Sequence, residues 1–241
     1  MIDFLVDKES SSKTDICSCS WSALIRQSWC IAKKDLILEK RTCAIAGLFG
    51  LFGILTMLAI ALALPIQQNV SAGVGALWVS LLFGVLLSLG RSFQAETEYG
   101  AFTYLQHAPV PPLSIFAGKL MAHFAIYLAL GSLLTVVAQL LFSVPFDGRF
   151  IHLLGVSAIG LFGLCCVCTL VATMSMVVKG HSLLFPLLAL PLSLPLLIAA
   201  VKASATLYGA AESWASIQFL VVYAFLFLVA GSILFQLIVE E

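Results

Sequence analysis

Six long apolar runs constrain this chain more than any other feature. They lie at about 43–66, 72–90, 120–144, 151–178, 182–201 and 217–239. Each approaches or exceeds the roughly 20 residues that a helix needs to cross about 30 Å of hydrocarbon. In lipid every backbone N–H and C=O must be satisfied within the segment, so a run of this length has one natural solution, a spanning helix. The runs are too long for barrel strands and do not alternate, which excludes a transmembrane barrel. Hydrophobic residues make up 61% of the 241 and charged residues only 10%, whereas soluble domains are nearer half apolar and about a quarter charged. The expected fold is all-α: a polytopic membrane protein of six transmembrane helices.

The charges sit where they set orientation. With the N-terminus inside, the inner segments hold Lys8, Lys13, Arg26, Lys33, Lys34, Lys40, Arg41, Arg91, Lys119 and Lys179, and the outer ones only Arg149 and Lys202. This bias predicts both termini in the cytoplasm. The formal net charge of zero gives no sign of a nucleic-acid partner. No run carries an acidic or basic residue well inside it. Such a residue costs about 2.5–3.5 kcal/mol at mid-membrane and commonly marks a proton relay or ion path.

Residues 1–20 are polar and serine-rich and are expected to be a disordered extension. Residues 21–41 mix Trp21, Leu24, Ile25, Trp29 and Ile31 with Arg26, Lys33, Lys34, Lys40 and Arg41. They read as an N-terminal amphipathic helix on the membrane surface, tryptophans at headgroup depth. From 21 to 241 the chain reads as one transmembrane domain. In the fifth run Pro186, Pro191 and Pro195 each remove a helix hydrogen bond and predict a bend. Gly47, Gly50 and Gly53 in the first run, and Gly155, Gly160 and Gly163 in the fourth, are spaced to let helices approach.

The longest polar interruption is 91–119. Phe93, Glu96, Tyr99, Phe102 and Leu105 fall at helical spacings, and Pro109, Pro111 and Pro112 are expected to end that helix. A short helix closed by a proline turn suits a docking element; a solvated connector fits the same periodicity. As docking residues we single out Arg91, Phe93, Glu96, Tyr99, Gly100 and Phe102, aromatic anchors being common at interface hot spots and Gly100 permitting close backbone approach.

Little chemistry is encoded. The sequence contains no P-loop pattern, no H-E-x-x-H and no G-x-S-x-G, so no nucleotide cradle or catalytic residue is expected. Cys165, Cys166 and Cys168 read as core packing, because neighbouring residues on a helix point about 100° apart and chelate one ion poorly. No metal site is expected. His107, His123, His152 and His181 could each ligate haem iron, but nothing fixes a second ligand, and each is read first as a histidine hydrogen-bonded to backbone at an interface.

Taken together, the ordered patches over about 29–239 resemble the haem exporter protein B family, CcmB. Arg91, Phe93, Glu96, Gly100, Leu105 and Pro109 match its cytoplasmic pattern. Lys119, Ala122 and His123 match the start of its third span, and Pro191 and Pro195 its proline-bearing fifth span. Where the family commonly has a glutamate before the arginine, Gly90 stands here. The resemblance implies the permease subunit of an ABC exporter in the inner membrane, acting in c-type cytochrome biogenesis by delivering haem to a periplasmic chaperone. It implies a separate ABC ATPase, a second copy of the chain, and other cytochrome c maturation membrane proteins as partners. Haem enters as substrate, with no bound cofactor. Two other readings are weighed: an exporter of lipid, polysaccharide or drug, and a membrane scaffold that moves nothing.

Overall fold

The computed structural model describes residues 21–63, 70–98, 110–142, 148–177, 184–208 and 214–240. They form α1 (Trp21–Thr42), α2 (Ala44–Ala63), α3 (Val70–Glu98), α4 (Pro112–Phe142), α5 (Arg149–Val177), α6 (Leu184–Thr206) and α7 (Trp214–Glu240). Helices α2 to α7 are each long and apolar enough to cross a membrane, in accord with the six runs. The extension 1–20 and the connector 99–109 lie outside the described residues.

Two spans make the centre. The apolar windows of α3 and α5 are 72% buried, against 17% in α2 and 22% in α7. α2 packs mainly on α3, α7 mainly on α5, and α6 against α3, α5 and α7. The outward leucines, isoleucines and phenylalanines of α2 and α7 are what a lipid-facing surface requires. Among the spaced glycines, Gly53, Gly160 and Gly163 face Leu134, Trp78 and Leu196, whereas Gly47, Gly50 and Gly155 face open space. Spacing alone could not separate these two sets.

Polar groups in the core are held as an apolar surrounding demands. The hydroxyls of Ser80, Thr135 and Ser204 return to carbonyls four residues earlier on their own helices, the commonest way to satisfy a hydroxyl in lipid. Trp78, wholly buried, donates its indole N–H to Ser204 Oγ at 2.9 Å and ties α3 to α6. Ser88 Oγ and Tyr127 Oη lie 2.8 Å apart between α3 and α4.

α1 ends and α2 begins at a single residue. Cys43 has φ 51°, its N–H reaches Glu39 O at 2.7 Å, and its carbonyl accepts from Gly47 N–H at 2.9 Å. It thus closes one helix in the left-handed conformation and opens the next. α1 then lies on α4 and barely touches α2. Ile25 and Trp29 face outward beside Arg26, Lys33 and Lys34, the mixed apolar and basic face expected of an interfacial helix.

Three expectations are corrected. The segment from Arg91 to Glu98 is not a separate short helix; it continues the second span as the end of α3. Proline does not close a helix at Pro112; it opens α4, where its fixed φ suits the helix and its missing N–H costs nothing. α4 therefore starts well before 120 and carries Lys119 within it, only 2% exposed, its Nζ 5.5 Å from the centre of the Phe93 ring. A charge thus lies inside a helix whose third run reads as uncharged.

In α6, Pro191 and Pro195 lie inside the helix, and Pro186 falls in its first turn. The carbonyls of Leu187 and Pro191 lose their usual donors. In the turn between the two inner prolines, the Leu192 carbonyl accepts a hydrogen bond from Tyr223 Oη of α7 at 2.6 Å. A neighbouring helix thus supplies a donor where the ladder is weakened.

Replacing Ser204 with alanine leaves the Trp78 N–H buried without its acceptor. We expect a loss of about 1–2 kcal/mol in stability, read by unfolding in mixed detergent. Wild-type stability in that variant would mean that the α3–α6 tie contributes nothing.

Candidate functional site

A cavity of about 530 Å³ opens between α1, α2, α3 and α4 at the end of the bundle that carries α1. Each wall is one helix face. α1 gives Asp35, Leu38, Glu39 and Thr42; α3 gives Ser88, Arg91, Ser92 and Ala95; α4 gives Ala122, His123 and Ile126; α2 gives Ala44, Ile45 and Leu48. Residues spaced by three, four and seven share a side of a helix, so the lining follows from where each helix is turned. It is mostly apolar with a few convergent polar groups, the usual character of a small-molecule site.

His123 is the most fixed of those groups. Its ring is buried and stacks on Phe93 with centroids 5.7 Å apart and planes 16° from parallel. Nδ1 lies 2.8 Å from the Lys119 carbonyl. A carbonyl can only accept, so Nδ1 carries the proton, and in the neutral ring Nε2 is the nitrogen with the lone pair. Nε2 is 3.4 Å from Ser92 Oγ.

The two carboxylates on the α1 wall are only partly satisfied: Asp35 Oδ2 is buried with no hydrogen-bond partner among the described residues. Asp35 Oδ1 lies 3.1 Å from Lys34 Nζ. Glu39 Oε1 accepts the Ala46 N–H at 2.8 Å, where the first turn of α2 offers unsatisfied donors and the positive end of its dipole. Arg91, exposed at the rim, forms no ion pair among the described residues. The cavity therefore combines apolar walls with Arg91, Asp35, Glu39 and His123 as its titratable groups.

The singled-out residues do not form one cluster. Arg91 lines the cavity, while Phe93 is buried behind it against His123. In this arrangement Phe93 supports the wall and does not present its ring on the surface. Glu96 lies in the last turn or so of α3; Tyr99, Gly100 and Phe102 lie outside the described residues. Pro186, Pro191 and Pro195 belong to α6, which contributes nothing to the cavity. Ser88, Ser92, Asp35 and Glu39 were not singled out by sequence. Two signals mark them in retrospect: the small and polar stripe Ser88, Arg91, Ser92, Ala95, and the acid pair four apart in an otherwise basic α1.

Comparison with known proteins points one way. Residues 26–235 match the family described as CcmB protein. A heme exporter protein B of Rhodobacter capsulatus is 28% identical over 183 residues, which cover 70% of this chain and 78% of the relative. A heme exporter protein B of Paracoccus denitrificans is 31% identical over 145 residues, covering 54% of this chain and 59% of the relative. The family match takes in α1 from Arg26, the first five spans, α7 as far as Phe235 and all four walls of the cavity, and on that extent the chain belongs to the CcmB family.

Proposed function

We propose that this chain is the membrane subunit of an ATP-driven haem exporter serving c-type cytochrome assembly. The observation that carries the reading is the CcmB match across a chain whose six apolar helices are built to span a membrane; the two relatives are named heme exporters. The sequence has no P-loop pattern, which fits a division of labour in which a separate ABC ATPase supplies the energy. Delivery of haem to a periplasmic chaperone, work beside other maturation proteins, and pairing with a second copy follow from the same reading.

The subunit resides in the inner membrane with both termini cytoplasmic, on the strength of the lysine and arginine bias. A periplasm-active reporter fused after Glu241 is expected to be silent, and one fused near Asp147 active. The opposite pattern would invert the topology.

The ATPase docks on the stretch that runs from Arg91 through Glu96, Tyr99, Gly100 and Phe102 towards Pro112. Its support is that α3 is a continuous rod from the bundle core to Glu98, so a push at its end travels into the spans. Phe102→Ala is expected to weaken ATPase capture by at least about 1 kcal/mol, and Gly100→Trp to hinder docking by bulk. Both should insert normally, neither residue lying in an apolar run. Undiminished co-purification of the ATPase with the double variant, together with normal cytochrome c assembly, would remove this stretch from the mechanism.

A further inference from the structure

α1 and α2 barely touch, and the exposed lining residues Leu38, Thr42 and Ala44 gather at their junction, so the cavity opens there, sideways. Leu38 is 57% exposed. An apolar side chain left open where an interfacial helix gives way to the first span meets lipid at headgroup depth, not bulk water. Ile45, Leu48 and Ile126 carry the apolar surface inward.

The same cavity carries charges of both signs. Arg91 stands exposed at the rim with no ion pair among the described residues. Two carboxylates face the same space from α1. Glu39 accepts the Ala46 N–H. Asp35 meets Lys34 through Oδ1 alone, and Lys34 is 61% exposed, so water screens that pair. Asp35 Oδ2 is buried with no hydrogen-bond partner. A carboxylate oxygen withdrawn from water without a donor is costly. The terminal torsion of an aspartate is broad, so a modest rotation brings that oxygen to a donor in the cavity.

We infer that this cavity holds a phospholipid with a primary ammonium, a phosphatidylethanolamine from the leaflet on which α1 lies. Its ammonium sits on Asp35, its phosphate on Arg91, and the start of one acyl chain along Leu38, Ile45 and Leu48. The inference rests on the six membrane spans and is independent of the haem-export reading. Charge and donor count select the headgroup. One that is only anionic satisfies Arg91 but brings its charge towards two carboxylates. A quaternary ammonium balances the charge but has no N–H for the orphaned oxygen. A primary ammonium beside a phosphate meets both needs. The lipid then fills the gap that the protein leaves between α1 and α2, and His123 takes no part.

The test uses the full chain, purified in detergent, stripped of lipid and titrated with phosphatidylethanolamine, phosphatidylcholine or phosphatidylglycerol of the same acyl chains. Bound lipid is read by native mass spectrometry. Phosphatidylethanolamine should bind at least about tenfold tighter than either of the others, as one hydrogen bond between charged groups implies. Asp35→Asn should erase its advantage over phosphatidylcholine. Arg91→Gln should weaken both of these lipids alike, since both carry the phosphate. Ala44→Phe alters an exposed position, narrows the mouth and keeps every charged residue, so it tests the site even where Asp35→Asn fails to fold; it should lower phosphatidylethanolamine occupancy. Equal binding of the three lipids would overturn the inference, as would an ethanolamine preference that survives Asp35→Asn or unchanged binding in Ala44→Phe. Tighter binding of phosphatidylglycerol would overturn it in favour of an anionic ligand on Arg91. Displacement of the lipid by free phosphoethanolamine, which has no acyl chains, would overturn the lipid as the occupant.

Discussion

The backbones of α1 and α4 meet at Gly118, and much of the architecture at that end depends on this contact. A Cβ at Gly118 would stand 2.8 Å from the Ser28 carbonyl oxygen and 2.9 Å from Ile31 Cβ, so only glycine permits the approach. The contact seats the face of α1 that holds Ser28, Ala32 and Glu39 against the bundle, all three buried. Ile25, Trp29 and Ile37 are left outward, where a bilayer interface accepts them. Once α1 is seated, Asp35 and Glu39 form the fourth wall of the cavity, and Glu39 reaches the first turn of α2. Without it the space between α2, α3 and α4 would be an open groove.

α3 connects that end to the rest of the molecule. Along one helix run Arg91 and Ser92 at the cavity, Phe93 beneath His123, Ser88 bonded to Tyr127, and Trp78 bonded to Ser204 of α6. A displacement at the Arg91 end thus meets α4 and α6 together, since Phe185 of α6 packs against Gly90 of α3. α6 is also the helix whose ladder is interrupted by Pro191 and Pro195, and so the one most able to bend in response. These contacts give physical content to the idea of a subunit that is moved from one end.

Span number and class were legible because run length in lipid leaves the backbone no alternative. The interfacial helix was legible for a related reason: tryptophan beside lysine has few other homes. Helix ends were not. Pro112 carries the same residue type whether it stops a helix or starts one, and only the carbonyl of Pro111 accepting the Ser114 N–H decides between them. The burial of Phe93 and Lys119 was equally hidden, because helical periodicity says which residues share a face and not which neighbour that face meets. The cavity comes from four helices distant in sequence. His123 was visible as a histidine near a helix end, but its fixed tautomer depends on a backbone carbonyl that no spacing rule reveals. The family resemblance identified the chain as CcmB-like without locating a binding site, since the cavity's carboxylates and serines lie outside the patches that carry it.

The central claim is that the end of the bundle where α1 is seated on α4 is coupled to the ATPase of the proposed transporter. The most direct measurement is ATP hydrolysis by the reconstituted complex, with and without haem, for the wild type and for Gly118→Leu. The larger side chain forces α1 off α4 and alters no residue of the proposed docking stretch from Glu96 to Phe102. The account predicts that the wild-type rate rises with haem, and that Gly118→Leu retains the ATPase and its basal rate yet loses the haem response. A haem response of full size in Gly118→Leu would contradict it.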